Sequence, residues 1–146
     1  MDVREYIKKW YPKNSNEYQI GIHLRLGNNQ DNFEPTISSL QFYLKSLDGA
    51  IKKNGKNKSI KLLIATDNLP KASVFIDAFK NKIQNIHILK DFNYIEMFVL
   101  SNCDAFIASQ STFSWWCAYL GNQEKENYFD EKYNIQDHLP KDWHQL

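Results

Sequence analysis

A chain of 146 residues, 42% of them hydrophobic, has the size and apolar content of one ordinary domain. Its 18 Lys and Arg stand against 17 Asp and Glu, a net charge of +1. That balance argues against a nucleic-acid protein, which needs a basic surplus on one face. No apolar run approaches the roughly 20 residues that span a bilayer, and the opening MDVREYIKKW is charged and amphipathic, unlike a signal peptide. The chain is expected to be soluble and cytoplasmic, with at most a peripheral contact to a membrane.

In chain order, Val3–Trp10 is predicted as a short amphipathic helix stopped by Pro12. Tyr18–Leu24 is a strand in which Gly21 permits a close backbone approach. A polar loop follows from Leu26 to Glu34. Pro35 suits the first turn of the next helix, where Ile37, Leu40, Leu44, Leu47 and Ile51 recur at spacings of three and four, marking one buried face. Gly55 suits its C-terminal cap. Ile60–Ala65 reads as a parallel strand covered on both faces. Asn68 and Pro70 open a helix over Lys71–Lys82. Ile86–Leu89 is a third strand, Tyr94–Ser101 a helix, Ala105–Ala108 a fourth strand and Thr112–Leu120 a last helix. The remaining residues, 122–146, read as a polar, aromatic tail without a clear strand, packing on a single domain that spans 1–146.

The alternation of strand and helix implies a Rossmann-like three-layer sandwich with a mostly parallel sheet. In such sheets ligands bind beyond the carboxyl ends of the strands, so the residues after each strand are the candidate site. The first strand runs into His23, Arg25 and Gly27. Arg offers a fork of donors that fits phosphate oxygens, or it pairs with a nearby carboxylate, and Gly27 lets the backbone turn close to a ligand. After the second strand, Asp67 in Thr66-Asp67-Asn68 is an acceptor for a sugar or base, or one of the three caps the next helix. After the fourth come Ser109, Gln110, Ser111 and Thr112. Hydroxyls and free N–H groups at a helix start make an anion site, or a plain Ser/Thr cap. In that alternative Phe113, Trp115, Trp116 and Tyr119 are core, and the rings are expected to be mostly buried. Trp115 and Trp116 point about 100° apart on a helix, so one would pack on the sheet and the other face a neighbour or ligand.

Other chemistries lack their patterns. No G-x-S-x-G surrounds Ser111, and there is no P-loop or G-x-G-x-x-G. His23, His87, His138 and His144 lack metal spacing, and no D-x-D pair is present. Cys103 and Cys117 are expected as reduced core residues. The basic run Lys52–Lys58 reads as a solvated helix end.

Three segments together resemble the α-1,2-fucosyltransferases of glycosyltransferase family 11. HLRLG at His23–Gly27 is similar to H-x-R-R-G-D, and IATDN at Ile64–Asn68 to an F-S-D-D segment. YIEMFVLSNCDAFIASQSTFSWWCAYL is similar to D-x-x-x-M-x-x-C-x-x-x-I-x-x-N-S-[ST]-F-S-W-W-x-A-x-L. The resemblance implies the C-terminal, donor-binding half of a GT-B glycosyltransferase. It further implies inverting, metal-independent transfer of L-fucose from GDP-fucose to a galactoside hydroxyl, with no cofactor. Arg25 would hold the β-phosphate, His23 would support that loop or touch the nucleotide, and Asp67 would contact the nucleotide. Ser111, Thr112 and Phe113 would line the diphosphate and fucose site, with Gln110 beside them in place of the family's Asn. Leu26 replaces the motif's second Arg, Asn28 its Asp, and Asn68 the second Asp of F-S-D-D. The acceptor-side half is not among the matched segments, which leaves three readings. The chain is a transferase completed by a second copy or partner chain, a domain that binds nucleotide or glycan without turnover, or a structural partner of a complete transferase.

Overall fold

The computed structural model describes residues 2–27, 35–54, 58–122, 124–132 and 143–146. Helix α1 (Val3–Trp10) precedes strand β1 (Glu17–Leu24). Then follow α2 (Leu40–Lys53), β2 (Ser59–Thr66), α3 (Leu69–Lys80), β3 (Asn85–Ile88), α4 (Asn93–Ser101), β4 (Ala105–Ile107) and α5 (Thr112–Tyr119). Strands β5 (Glu126–Phe129) and β6 (His144–Gln145) close the chain. All six strands are parallel, in the order β3-β2-β1-β4-β5-β6. This is the Rossmann-like three-layer arrangement the alternation predicted, with the strand order reversing between β1 and β4.

Strand periodicity assigns the residues of β1 to two faces. Ile20, Ile22 and Leu24 enter one core with Phe42, Tyr43 and Leu47 of α2 and Ala72, Ile76 and Phe79 of α3. Gly21 and His23 face α4 and α5, whose core holds Ile95, Val99, Leu100, Cys103 and Cys117. Gly21 is glycine for a packing reason: a Cβ there would stand 2.9 Å from Leu100 Cδ2 and 3.1 Å from Cys103 Sγ. Cys103 and Cys117 are buried free thiols, as expected.

Four readings change. The second helix starts at Leu40, not near Pro35, because Ser39 caps it by accepting from Phe42 N at 3.2 Å. Ile37 lies before that start and is exposed. The terminal tail contributes β5 and β6 to the sheet, and Phe129 fills the second core. On α5 the buried residues are Ser114, Cys117 and Ala118, while Trp116 and Tyr119 are exposed and Phe113 and Trp115 only partly covered. Small side chains let α5 lie close to the sheet, and that pushes the rings outward. The expected Gly55 cap, the loop residues 28–34 and His138 fall outside the described residues.

Candidate functional site

The carboxyl ends of β1, β2 and β4 open into a cavity of about 260 Å³ on the α4–α5 side of the sheet. It is lined by His23, Arg25, Asp67, Ser111, Thr112 and Phe113, together with Thr66, Asn93 and Glu96. Six of the eight residues singled out by sequence therefore meet at one place. Period two explains the β1 pair, since positions 23 and 25 fall on the same face. Position 26 falls on the other face, where Leu26 is buried in the α2–α3 core. The substitution at the motif's second Arg position therefore places an apolar side chain in the core, not in the cavity.

Asp67 is turned toward the β1 loop. Its Oδ2 accepts from Arg25 Nη1 at 2.7 Å and from Gly27 N at 3.0 Å, and its Oδ1 accepts from Leu26 N at 2.7 Å. Gly27 has φ +80°, a conformation that favours glycine, and a Cβ there would also meet Pro35 Cδ at 2.9 Å. Asn68 completes the latch: its side chain donates to Gly27 O at 2.7 Å and caps α3 by accepting from Lys71 N at 3.1 Å. The carboxylate fixes the loop and holds the guanidinium beside the cavity. Gly27 acts through this backbone geometry and does not line the cavity. Gln110 turns away from it, donating to Ser38 Oγ at 3.3 Å.

His23 ties β1 to the β4–α5 turn. Its Nδ1 lies 2.7 Å from Ser114 Oγ, 2.9 Å from Ser109 Oγ and 3.4 Å from Ser111 Oγ. Ser111 also caps α5, accepting from Ser114 N at 3.1 Å. Two small polar residues between strand and helix, Ser109 and Ser111, and Ser114 in the first turn of α5 are thus the hydrogen-bond environment of one buried imidazole. Phe113 covers its ring at 4.6 Å between centroids. Burial pushes the His23 pKa down to about 4, with Asp67 opposing and Arg25 assisting, so the ring is neutral at pH 7. The unfolded chain binds a proton below pH 6.5 that the folded ring refuses until about pH 4, so this group destabilises the fold as the pH falls through that window. We expect it to remove about 3 kcal/mol between those limits. Denaturant titrations of wild type and His23→Gln across the window check this, since the variant should lack that part of the acid loss.

Glu96 and Asn93 were not singled out by sequence. Glu96 Oε1 accepts from Asp91 N at 3.1 Å, and burial raises the pKa of its carboxyl. A signal was present: counted back seven positions from Cys103, the acid that opens the long motif falls on Glu96. Among the described residues no three His, Cys, Asp or Glu side chains gather to hold a metal.

Fold and site define a Rossmann-like domain with a polar cavity at the switch point between β1 and β4, lined by the Arg25–Asp67 pair, His23, Glu96 and the start of α5. Residues 11–143 match the family described as Glycosyl transferase family 11, and the chain belongs to that family. Among solved structures it is similar to one described as the crystal structure of NodZ alpha-1,6-fucosyltransferase soaked with GDP-fucose, with a TM-score of 0.53 and 16% identity. That likeness covers 82% of this chain and 40% of the other, so the chain spans well under half the length of that relative. No curated protein sequence matches.

Proposed function

We propose that this domain binds GDP-fucose and supplies the donor side of fucosyl transfer to a galactoside hydroxyl, of the inverting α-1,2 type. One observation carries the reading: Arg25, oriented by Asp67, faces the same cavity as the first turn of α5. In that turn Thr112 and Phe113 present the backbone N–H groups of a helix start and Thr112 a hydroxyl, while Ser111 shapes the turn, its N–H donating to Ser109 O at 2.9 Å and its hydroxyl capping α5. As the glycosidic bond breaks, negative charge grows on the departing diphosphate, and fixed donors at that point lower the barrier. The role then falls to Arg25 and the α5 N-terminus. His23, held neutral, keeps the turn in place without adding charge. This gives Asp67 a positioning part in place of the nucleotide contact implied by resemblance.

Glu96 is the cavity's second carboxylate. We assign it to the guanine edge, where N1–H and the N2 amino group are adjacent donors that suit a carboxylate. Wild type is expected to bind GDP about tenfold tighter than inosine diphosphate, which lacks the amino group, and Glu96→Gln to lose that preference. Equal preference in wild type and variant, read by calorimetry, would remove Glu96 from this role. Ligand cavities are commonly about 300–1,000 Å³, so 260 Å³ forms only part of a nucleotide-sugar cleft. A second copy or a partner chain is proposed to complete it and to bring the acceptor. The competing reading, nucleotide binding without turnover, is separated from this one by assaying fucose transfer to galactosides once GDP binding is established.

A further inference from the structure

Glu96 stands in the first turn of α4 and lines the cavity, yet its orientation is set from outside the cavity. Its Oε1 accepts from Asp91 N at 3.1 Å, while its Oε2 accepts no hydrogen bond among the described residues. The N–H that holds Glu96 belongs to the turn between β3 and α4, and the Asp91 carboxylate fixes that turn. Its Oδ1 accepts from Phe92 N at 2.8 Å. Its Oδ2 accepts from two phenol hydroxyls, those of Tyr6 at 2.8 Å and Tyr11 at 3.0 Å.

Both tyrosines come from the first residues of the chain. Five positions along a continuous helix would set them about 140° apart. Helix α1 ends at Trp10, however, and Tyr11 leaves it at φ −130° and ψ 56°, because the proline that follows disfavours a helical residue before it. The two hydroxyls can therefore converge on one oxygen. Their rings pack, with Val3 and Ile7, against the core that α4 shares with the sheet, and the Tyr11 ring meets His87 of β3 edge-on at 6.2 Å. Side chains locked by packing hold a neighbouring group at a defined point. Phenol donors also fix the Asp91 carboxylate without adding a cation that would compete with a ligand for Glu96. We propose that α1 is part of the donor site: Tyr6 and Tyr11, acting through Asp91, are positioning residues that aim Glu96 at the guanine edge. The proposal rests on the assignment of Glu96 to that edge. It reaches beyond the family likeness, since residues 11–143 carry that match and Tyr6 lies ahead of them.

One test needs no nucleotide. The Asp91 amide proton is followed by NMR in the whole chain. Glu96→Gln marks the shift produced when the carboxylate is lost, and Tyr6→Phe with Tyr11→Phe is expected to move the resonance in the same direction. Phenylalanine keeps the packed rings, so the circular dichroism spectrum should not change. A second test compares GDP with inosine diphosphate by calorimetry. The wild-type preference for GDP, about tenfold, is expected to fall to about threefold in the double variant, with little change in affinity for inosine diphosphate. Asp91→Asn should lower it likewise, because an amide offers one acceptor oxygen where the carboxylate uses two. A merely structural role would weaken both nucleotides together and leave their ratio alone. An Asp91 resonance that stays in place in the double variant, or a preference that is unchanged there while Glu96→Gln abolishes it, overturns the proposal and leaves the guanine assignment standing. Wild type that binds both nucleotides equally, or neither, overturns the guanine assignment and this proposal with it.

Discussion

Replacing Arg25 by alanine is expected to weaken GDP binding about 100-fold, a loss of about 3 kcal/mol. The structure explains why a single side chain can matter that much. Asp67 holds the guanidinium at 2.7 Å and also fixes the two backbone N–H groups that follow it, so the fork stands at the cavity before any ligand arrives. Arg25→Lys should recover only part of the affinity, because a point charge cannot replace a planar fork held by a carboxylate. Asp67→Asn keeps the shape but removes the charge that orients both loop and arginine, and should cost about tenfold. Calorimetry with GDP reads all three. If Arg25→Ala binds GDP as tightly as wild type, the Arg25–Asp67 pair is a structural tie and the donor-site reading fails.

The second large effect is on stability. Lys125→Met is expected to destabilise the fold by about 4 kcal/mol, lowering the melting temperature by more than 10 °C. Lys125 is 6% exposed, and burial pushes its pKa down to about 8. Its ammonium donates to Ser101 O at 2.9 Å, Cys117 O at 2.6 Å and Leu120 O at 2.7 Å. These carbonyls lie at the carboxyl ends of α4 and α5, where helix dipoles favour a cation. All three ammonium protons are used, and removing them strands three carbonyls. Next to this joint Gly121 has φ +87°, and a Cβ there would meet Ser101 O at 2.0 Å, so the chain can turn from α5 toward β5 only with glycine. Thermal unfolding of Lys125→Met checks the expectation; an unchanged midpoint would show that the lysine's desolvation cancels its hydrogen bonds.

Much of this was legible in the residues. LLIA and AFIA are runs buried on both faces, and only central parallel strands need such runs. The polar residues after β1, β2 and β4 pointed to the carboxyl edge of the sheet. His23, Arg25, Asp67, Ser111, Thr112 and Phe113 do gather there. β5 was not legible, because Lys125, Glu126 and Asn127 look like solvent-facing residues. Lys125 and Asn127 become internal, with Glu126 half-buried, only because the carbonyls at the ends of α4 and α5 take up Lys125 and β4 pairs with the strand that Glu126 opens. The aromatic content of α5 misled for a related reason. Rings suggest a buried helix, yet contact with the sheet at close range selected Ser114, Cys117 and Ala118.

The sequence by itself determined the layer architecture, the identity of most cavity residues and the family, since these rest on local periodicity and on motifs contiguous in the chain. Only the tertiary structure decided what those residues do to one another. It showed Asp67 latching the Arg25 loop, His23 gathering two serines of the β4–α5 turn and one of α5, Leu26 pointing away from the cavity and Glu96 entering it. Each depends on which face of a strand or helix meets which neighbour, and that is set by packing between segments about 40 to 90 residues apart.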